Sequence, residues 1–109
     1  MLIDFNKLKK EKVERFKGGD GYVINQMFED ENNKIVRSLL PPHCSSGVHS
    51  HQKGFEILYM LKGSALFQYD DHQERVSEGQ VHYCPSGHSH SMLNDTEEDV
   101  EYFTVVAKD

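Results

Sequence analysis

The sequence predicts an all-β fold, a sandwich or barrel of short strands with little helix. Three observations carry this expectation. Runs of four to eight residues rich in Val, Ile, Tyr, Phe and Leu recur along the chain. They are regularly spaced and closed by Gly, Pro, Asn or Asp. With 109 residues, 37% of them hydrophobic and eleven aromatic, the chain can build one core and is too short for two, so residues 1–109 read as one domain.

Residues 5–12 are expected to make one or two helical turns, with Phe5 and Leu8 three apart. Residues 13–17 (VERFK) read as a weak strand stopped by GGDG. Residues 22–28 are β-rich, EDENN turns the chain, and 34–40 run to Pro41-Pro42. Residues 47–51 hold a histidine pair, and 56–62 follow a turn at Gly54. Strands 64–70 and 73–77 flank Asp71-His72 as a hairpin. Glu78-Gly79 leads into 81–84, Pro85-Ser86-Gly87 into 89–93, and an acidic loop at 94–99 into 101–107.

The net charge of −6 is uneven. Residues 1–17 carry six Lys/Arg against three acids, and residues 18–109 carry six against fifteen. The basic N-terminal arm reads as a solvated segment, and the acidic remainder argues against nucleic acid as a partner. No apolar run is long enough to cross a membrane as a helix, and the charged start has no secretory pattern, so a cytoplasmic location is expected. In that setting Cys44 and Cys84 are expected as free thiols.

Four of the seven histidines fall in two HxH pairs, His49/His51 and His88/His90. Residues i and i+2 of a strand face the same way, roughly 6–7 Å apart. His49 and His51 can thus offer two imidazoles to one point. Glu56 lies five residues beyond His51, an odd offset that a continuous strand would send to the opposite face. A bend at Gln52-Lys53-Gly54 restores it, with Gly54 expected to supply a positive φ. Pro85-Ser86-Gly87 sets His90 on a following strand in the same way. Three imidazoles and one carboxylate suit a divalent transition metal, whether Zn, Fe, Mn, Ni or Co. The net charge near +1 that results would attract oxygen donors such as carboxylates and enolates.

These residues resemble the cupin superfamily. The first motif is read as His49-x-His51-x4-Glu56-x6-Gly63, within residues 47–63. The second is Gly79-x5-Pro85-x-Gly87-x2-His90-x3-Asn94, within residues 79–94. One position departs: the family places a glycine six residues before its first ligand, where this chain has His43. The resemblance implies a double-stranded β-helix, a jelly-roll barrel, with one metal held by His49, His51, Glu56 and His90 inside one mouth. It also implies a homodimer formed by pairing or exchange of N-terminal strands.

By parity with Glu56, Leu58 and Met60 are candidates to line the pocket, although barrel core is the commoner fate of such residues. His88 is a candidate swapped ligand, proton shuttle or pocket residue, although a partly exposed turn histidine is the commoner case. His43 and His82 read as structural, and no Ser or Cys nucleophile has a partner set. The function expected is a metal-dependent enzyme acting on a small oxygenated metabolite, by isomerase, decarboxylase or dioxygenase chemistry. The alternative is a cupin that binds or senses its ligand without turnover. Length is expected to exclude two-domain members, such as oxalate decarboxylases.

Overall fold

Alternation of side chains along ten strands sorts the chain into two antiparallel sheets, in a computed structural model that describes residues 1–109. The strands are β1 (Glu11–Glu14), β2 (Tyr22–Glu29), β3 (Asn33–Leu40), β4 (Ser45–Ser50) and β5 (Phe55–Lys62). They continue as β6 (Ser64–Tyr69), β7 (His72–Ser77), β8 (Val81–Cys84), β9 (Ser89–Leu93) and β10 (Val100–Ala107). One sheet has the order β1-β2-β3-β10-β5-β8, the other β4-β9-β6-β7. The architecture is the double-stranded β-helix that the resemblance implies.

Inward residues of both sheets build the core between them. Val36, Ser38 and Leu40 alternate with half-buried neighbours along β3, as His82 and Cys84 do with exposed Val81 and Tyr83 along β8. Leu58 and Met60 from the first sheet meet Ala65, Phe67, Val76 and Met92 from the second in one apolar cluster. Both cysteines are free and buried.

Several expectations are corrected. The barrel is not closed. β1 and β8 are edges of one sheet and β4 and β7 of the other, so side chains rather than a backbone ladder join the two sheets. The short turn at Gly63, left-handed at φ 83°, carries the chain from one sheet to the other. The helical stretch is a single 3₁₀ turn, Phe5–Lys7, because Leu8 is already extended. The strand expected at 13–17 lies at Glu11–Glu14, where it pairs with β2, and a second 3₁₀ turn occupies Phe16–Gly18. The hairpin turns at Asp70-Asp71, one residue earlier than expected, because Asp70 takes the left-handed conformation (φ 51°).

Gly54 is required for a different reason from the one expected. Its φ is not among the positive ones. A Cβ there would lie 1.8 Å from the Ala107 carbonyl oxygen, so β10 passes too close for any side chain. The Asp109 carboxylate caps the same bend, accepting backbone N–H bonds from Gln52, Lys53 and Gly54 at 3.1, 3.0 and 2.8 Å. The position where the family has glycine shows the opposite case. His43 itself adopts the left-handed region at φ 61°, and its N–H donates to the Asn94 carbonyl at 2.7 Å. The turn forms although a side chain must bear the conformation.

Two outcomes follow for thermal or denaturant unfolding. Gly54→Ala should lose about 1–3 kcal/mol through overpacking against β10. His43→Val should lose about 1–2 kcal/mol through left-handed strain, whereas His43→Gly should be at least as stable as the parent. Equal midpoints for the Val and Gly variants would remove the strain argument.

Candidate metal centre

Cross-strand register assembles half of the site. His49 on β4 lies directly opposite His90 on β9, which sets their side chains as neighbours on one face. The β4–β9 ladder is irregular between Ser46 and His49. There Gly47 lets the second 3₁₀ turn press close, since a Cβ at Gly47 would lie 1.8 Å from the Lys17 carbonyl oxygen. That turn brings the Phe16 ring edge-on to His49, with centroids 6.4 Å apart. His51 follows just past the end of β4, and Glu56 enters from β5 in the other sheet, opposite Cys84 and Val106.

The four side chains converge. One ligand atom from each of His49, His51, Glu56 and His90 falls in a group whose members lie within 4.8 Å of one another. Glu56 Oε1 is 3.7, 3.5 and 3.6 Å from the Nε2 atoms of His49, His51 and His90. The Nε2 atoms of His49 and His90 are 2.9 Å apart. Ligands bonded to one ion at about 2.1 Å sit about 3.0 Å apart at right angles and about 3.4 Å apart at tetrahedral angles. The observed spacings fall near this range.

The donor chemistry fits a cation as well. His49 Nδ1 lies 2.9 Å from the Gly47 carbonyl oxygen, which only accepts, so this nitrogen carries the proton and Nε2 presents a lone pair. His51 Nε2 is buried with no hydrogen-bond partner. Electron-rich atoms gathered this closely, one of them buried and unpaired, call for a positive centre among them. Without a metal the positive centre is a shared proton: burial pushes the Glu56 carboxyl up, but hydrogen bonds from its three imidazole neighbours outweigh that and hold it well below the usual carboxylate range.

The other expected site residues separate. Leu58 lines a cavity of about 370 Å³ that also contains His49, His51, Glu56 and His90. Val36, Phe67, Met92 and Tyr102 share its wall, and Lys17, Lys34 and Lys108 also line it. Met60, two residues along β5 from Leu58, is fully buried core and does not line this cavity. His88 does not join the site. It precedes β9 in a turn, stacks on Tyr69 and pairs with Asp70 at 2.5 Å. Cys84 is no nucleophile: burial, then the charges of Glu56 and Asp70, push its thiol up to about 11.

His82, which reads as structural in the sequence, stands next to the site. It is buried at 1% exposure, between Glu74 Oε1 at 2.8 Å and His90 Nδ1 at 3.0 Å. A lone histidine on a strand gave no sign of this, because Glu74 and His90 stand on the opposite sheet. Parity with Cys84, the inward neighbour on β8, was the one available hint.

An antiparallel jelly roll with three imidazoles and one carboxylate gathered inside its mouth defines the class of protein. The chain belongs to the cupin family, whose domain model matches residues 36–106. An oxalate-binding protein of Thermotoga maritima is 29% identical over 97% of this chain and 93% of its own length. A crystal structure from the same organism, described as a predicted oxalate decarboxylase, superposes with a TM-score of 0.91 at 28% identity, covering 99% of each chain. Since it matches this chain end to end, length does not separate the chain from every protein given that description. A polyketide cyclase of Streptomyces resistomycificus shares the fold alone, with a TM-score of 0.81 at 18% identity over 100% of this chain and 80% of its own.

The lowered Glu56 value makes a pH prediction for the metal-free protein. A carboxylate depressed by folding stabilises fully above its unfolded value, near 4.5, and that share is lost as the pH falls through the lower folded value. The stability gap between the parent and Glu56→Gln should therefore narrow steadily below about pH 5 in denaturant titrations. A gap that widens on acidification would contradict the assignment.

Proposed function

We propose that this chain is a metal-dependent cupin acting on a small oxygenated metabolite, with one divalent transition metal held by His49, His51, Glu56 and His90. The observation that carries the reading is the cluster of three Nε2 atoms around Glu56 Oε1, with His51 Nε2 otherwise unpartnered. When bound, such an ion supplies Lewis-acid stabilisation of charge developing on a ligand oxygen.

The chain's own residues do the rest. The cavity beside the four side chains is large enough for a small organic molecule. Leu58, Val36 and Phe67 make part of its wall apolar, which excludes water and strengthens electrostatic contacts inside. Lys108 is tied to Glu29 at 2.5 Å, which leaves Lys17 and Lys34 to favour an anionic ligand. A carboxylate or keto acid fits these features, and the Thermotoga relative described as oxalate-binding supports the carboxylate class. Isomerase, decarboxylase and dioxygenase chemistry are all compatible with the donor set.

A second reading is binding or sensing without turnover, and the name of that same relative favours it. In either case residues 1–109 act as one domain around a shared core. A homodimer remains part of the proposal, with a second copy adding at β1, a free edge of the larger sheet. A solution mass of one chain would remove that part.

Protein purified without an affinity tag should contain about one divalent transition metal per chain and lose it on acidification. His90→Ala should bind at least tenfold less metal while keeping the strand spectrum of the parent. Conversion of a small carboxylate or keto acid that disappears in His90→Ala supports the enzyme. Saturable binding of oxalate without product supports the sensor. No metal in the purified protein, and no uptake of any first-row divalent ion, would end both readings.

A further inference from the structure

His82 is a fully enclosed histidine beside the site, and it bridges the two sheets where no backbone ladder does. It stands on β8 of the larger sheet, and both of its partners stand on the smaller one. Its ring stacks on Phe67 at 4.3 Å between centroids, with planes 28° apart, and lies nearly parallel to His90 at 5.2 Å and 18°. Its side chain is 0% exposed, while that of Glu74 is 41% exposed and reaches solvent.

The direction of the two hydrogen bonds is determined by chemistry. The Glu74 carboxylate accepts only, so His82 Nδ1 carries a proton and donates at 2.8 Å. With Nδ1 protonated, the fully enclosed ring in its neutral form has a bare Nε2. The His90 Nδ1–H must then donate to His82 Nε2 at 3.0 Å. His90 Nε2 is thereby a lone pair, and it is this atom that lies 3.6 Å from Glu56 and 2.9 Å from His49.

We infer that Glu74 and His82 are positioning residues that hold the His90 ring in one tautomer and one orientation, with Nε2 presented to the metal site. The inference rests on the proposed reading of that site as a metal centre. His49 achieves the same result locally through the Gly47 carbonyl. His90 achieves it through a two-residue relay that ends at the surface, so a residue outside the cavity tunes a ligand within it. Outer-shell partners of this kind typically change metal affinity about 10–100-fold when removed.

The test uses metal-free protein titrated with Co²⁺ by calorimetry, together with ¹⁵N spectra of the His90 ring. In the parent, His90 should carry its proton on Nδ1. His82→Phe keeps a ring against Phe67 but offers no acceptor. Glu74→Leu, at a half-exposed position, removes the far end of the relay. Both should weaken Co²⁺ binding about 10–100-fold and move His90 toward a mixture of tautomers. Glu74→Gln keeps an acceptor oxygen and should restore affinity to within a few fold of the parent. A merely structural His82 would lower the melting temperature and leave both readouts unchanged. Affinities within twofold of the parent in folded variants, or a parent His90 protonated on Nε2, would overturn the relay. Absence of Co²⁺ uptake by the parent would sink the metal reading instead, and the ring tautomer alone would then decide the relay.

Discussion

Four electron-rich atoms facing one another, with too few protons to satisfy them, are the constraint around which this molecule is organised. Glu56 Oε1 sits at nearly equal distance from three imidazole nitrogens, and two of those nitrogens are 2.9 Å apart. In water these groups would spread and hydrate. Here both sheets and the link between them contribute a donor. His49 and His90 are cross-strand neighbours in the smaller sheet, Glu56 belongs to the larger one, and His51 follows the end of β4. The cost of crowding unpaired acceptors is borne by the packing of the whole jelly roll, and a cation is the kind of group that would offset it.

The same arrangement explains how an open sandwich keeps its mouth in register. No backbone ladder closes the two sheets, so side chains must. Leu58 against Phe67 and Met92 does this in the core. His82 does it with directed bonds to Glu74 and His90, and Asp109 pins the bend that delivers Glu56. Site and fold are thus fixed by overlapping contacts. The close approach at Gly54, required by β10, also sets where Glu56 begins.

Much of this was legible in the sequence because it follows from period two. Parity placed His49 with His51, and the turn glycines and Pro85 placed His90 on a fresh strand. The same rule sets Leu58 on the face of Glu56, and both line the cavity, but depth is not legible, and Met60 is core that does not line it. His88 shared parity with His90 only on paper, since β9 begins after it. The misreadings were tertiary. The sequence suggests a positive φ at Gly54, whereas what the position needs is room for the Ala107 carbonyl, an atom 53 residues away. His82 and Glu74 are eight residues apart on different sheets, and no local pattern announces that they meet. His43 in a left-handed turn shows a family position kept in shape without its usual residue.

The most direct measurement of the central claim is anomalous X-ray diffraction from crystals grown with Co²⁺. One strong peak per chain is expected at about 2.0–2.2 Å from Nε2 of His49, His51 and His90 and from a carboxylate oxygen of Glu56. A map with no peak among these atoms, or with the four side chains turned away from a common point, would contradict it.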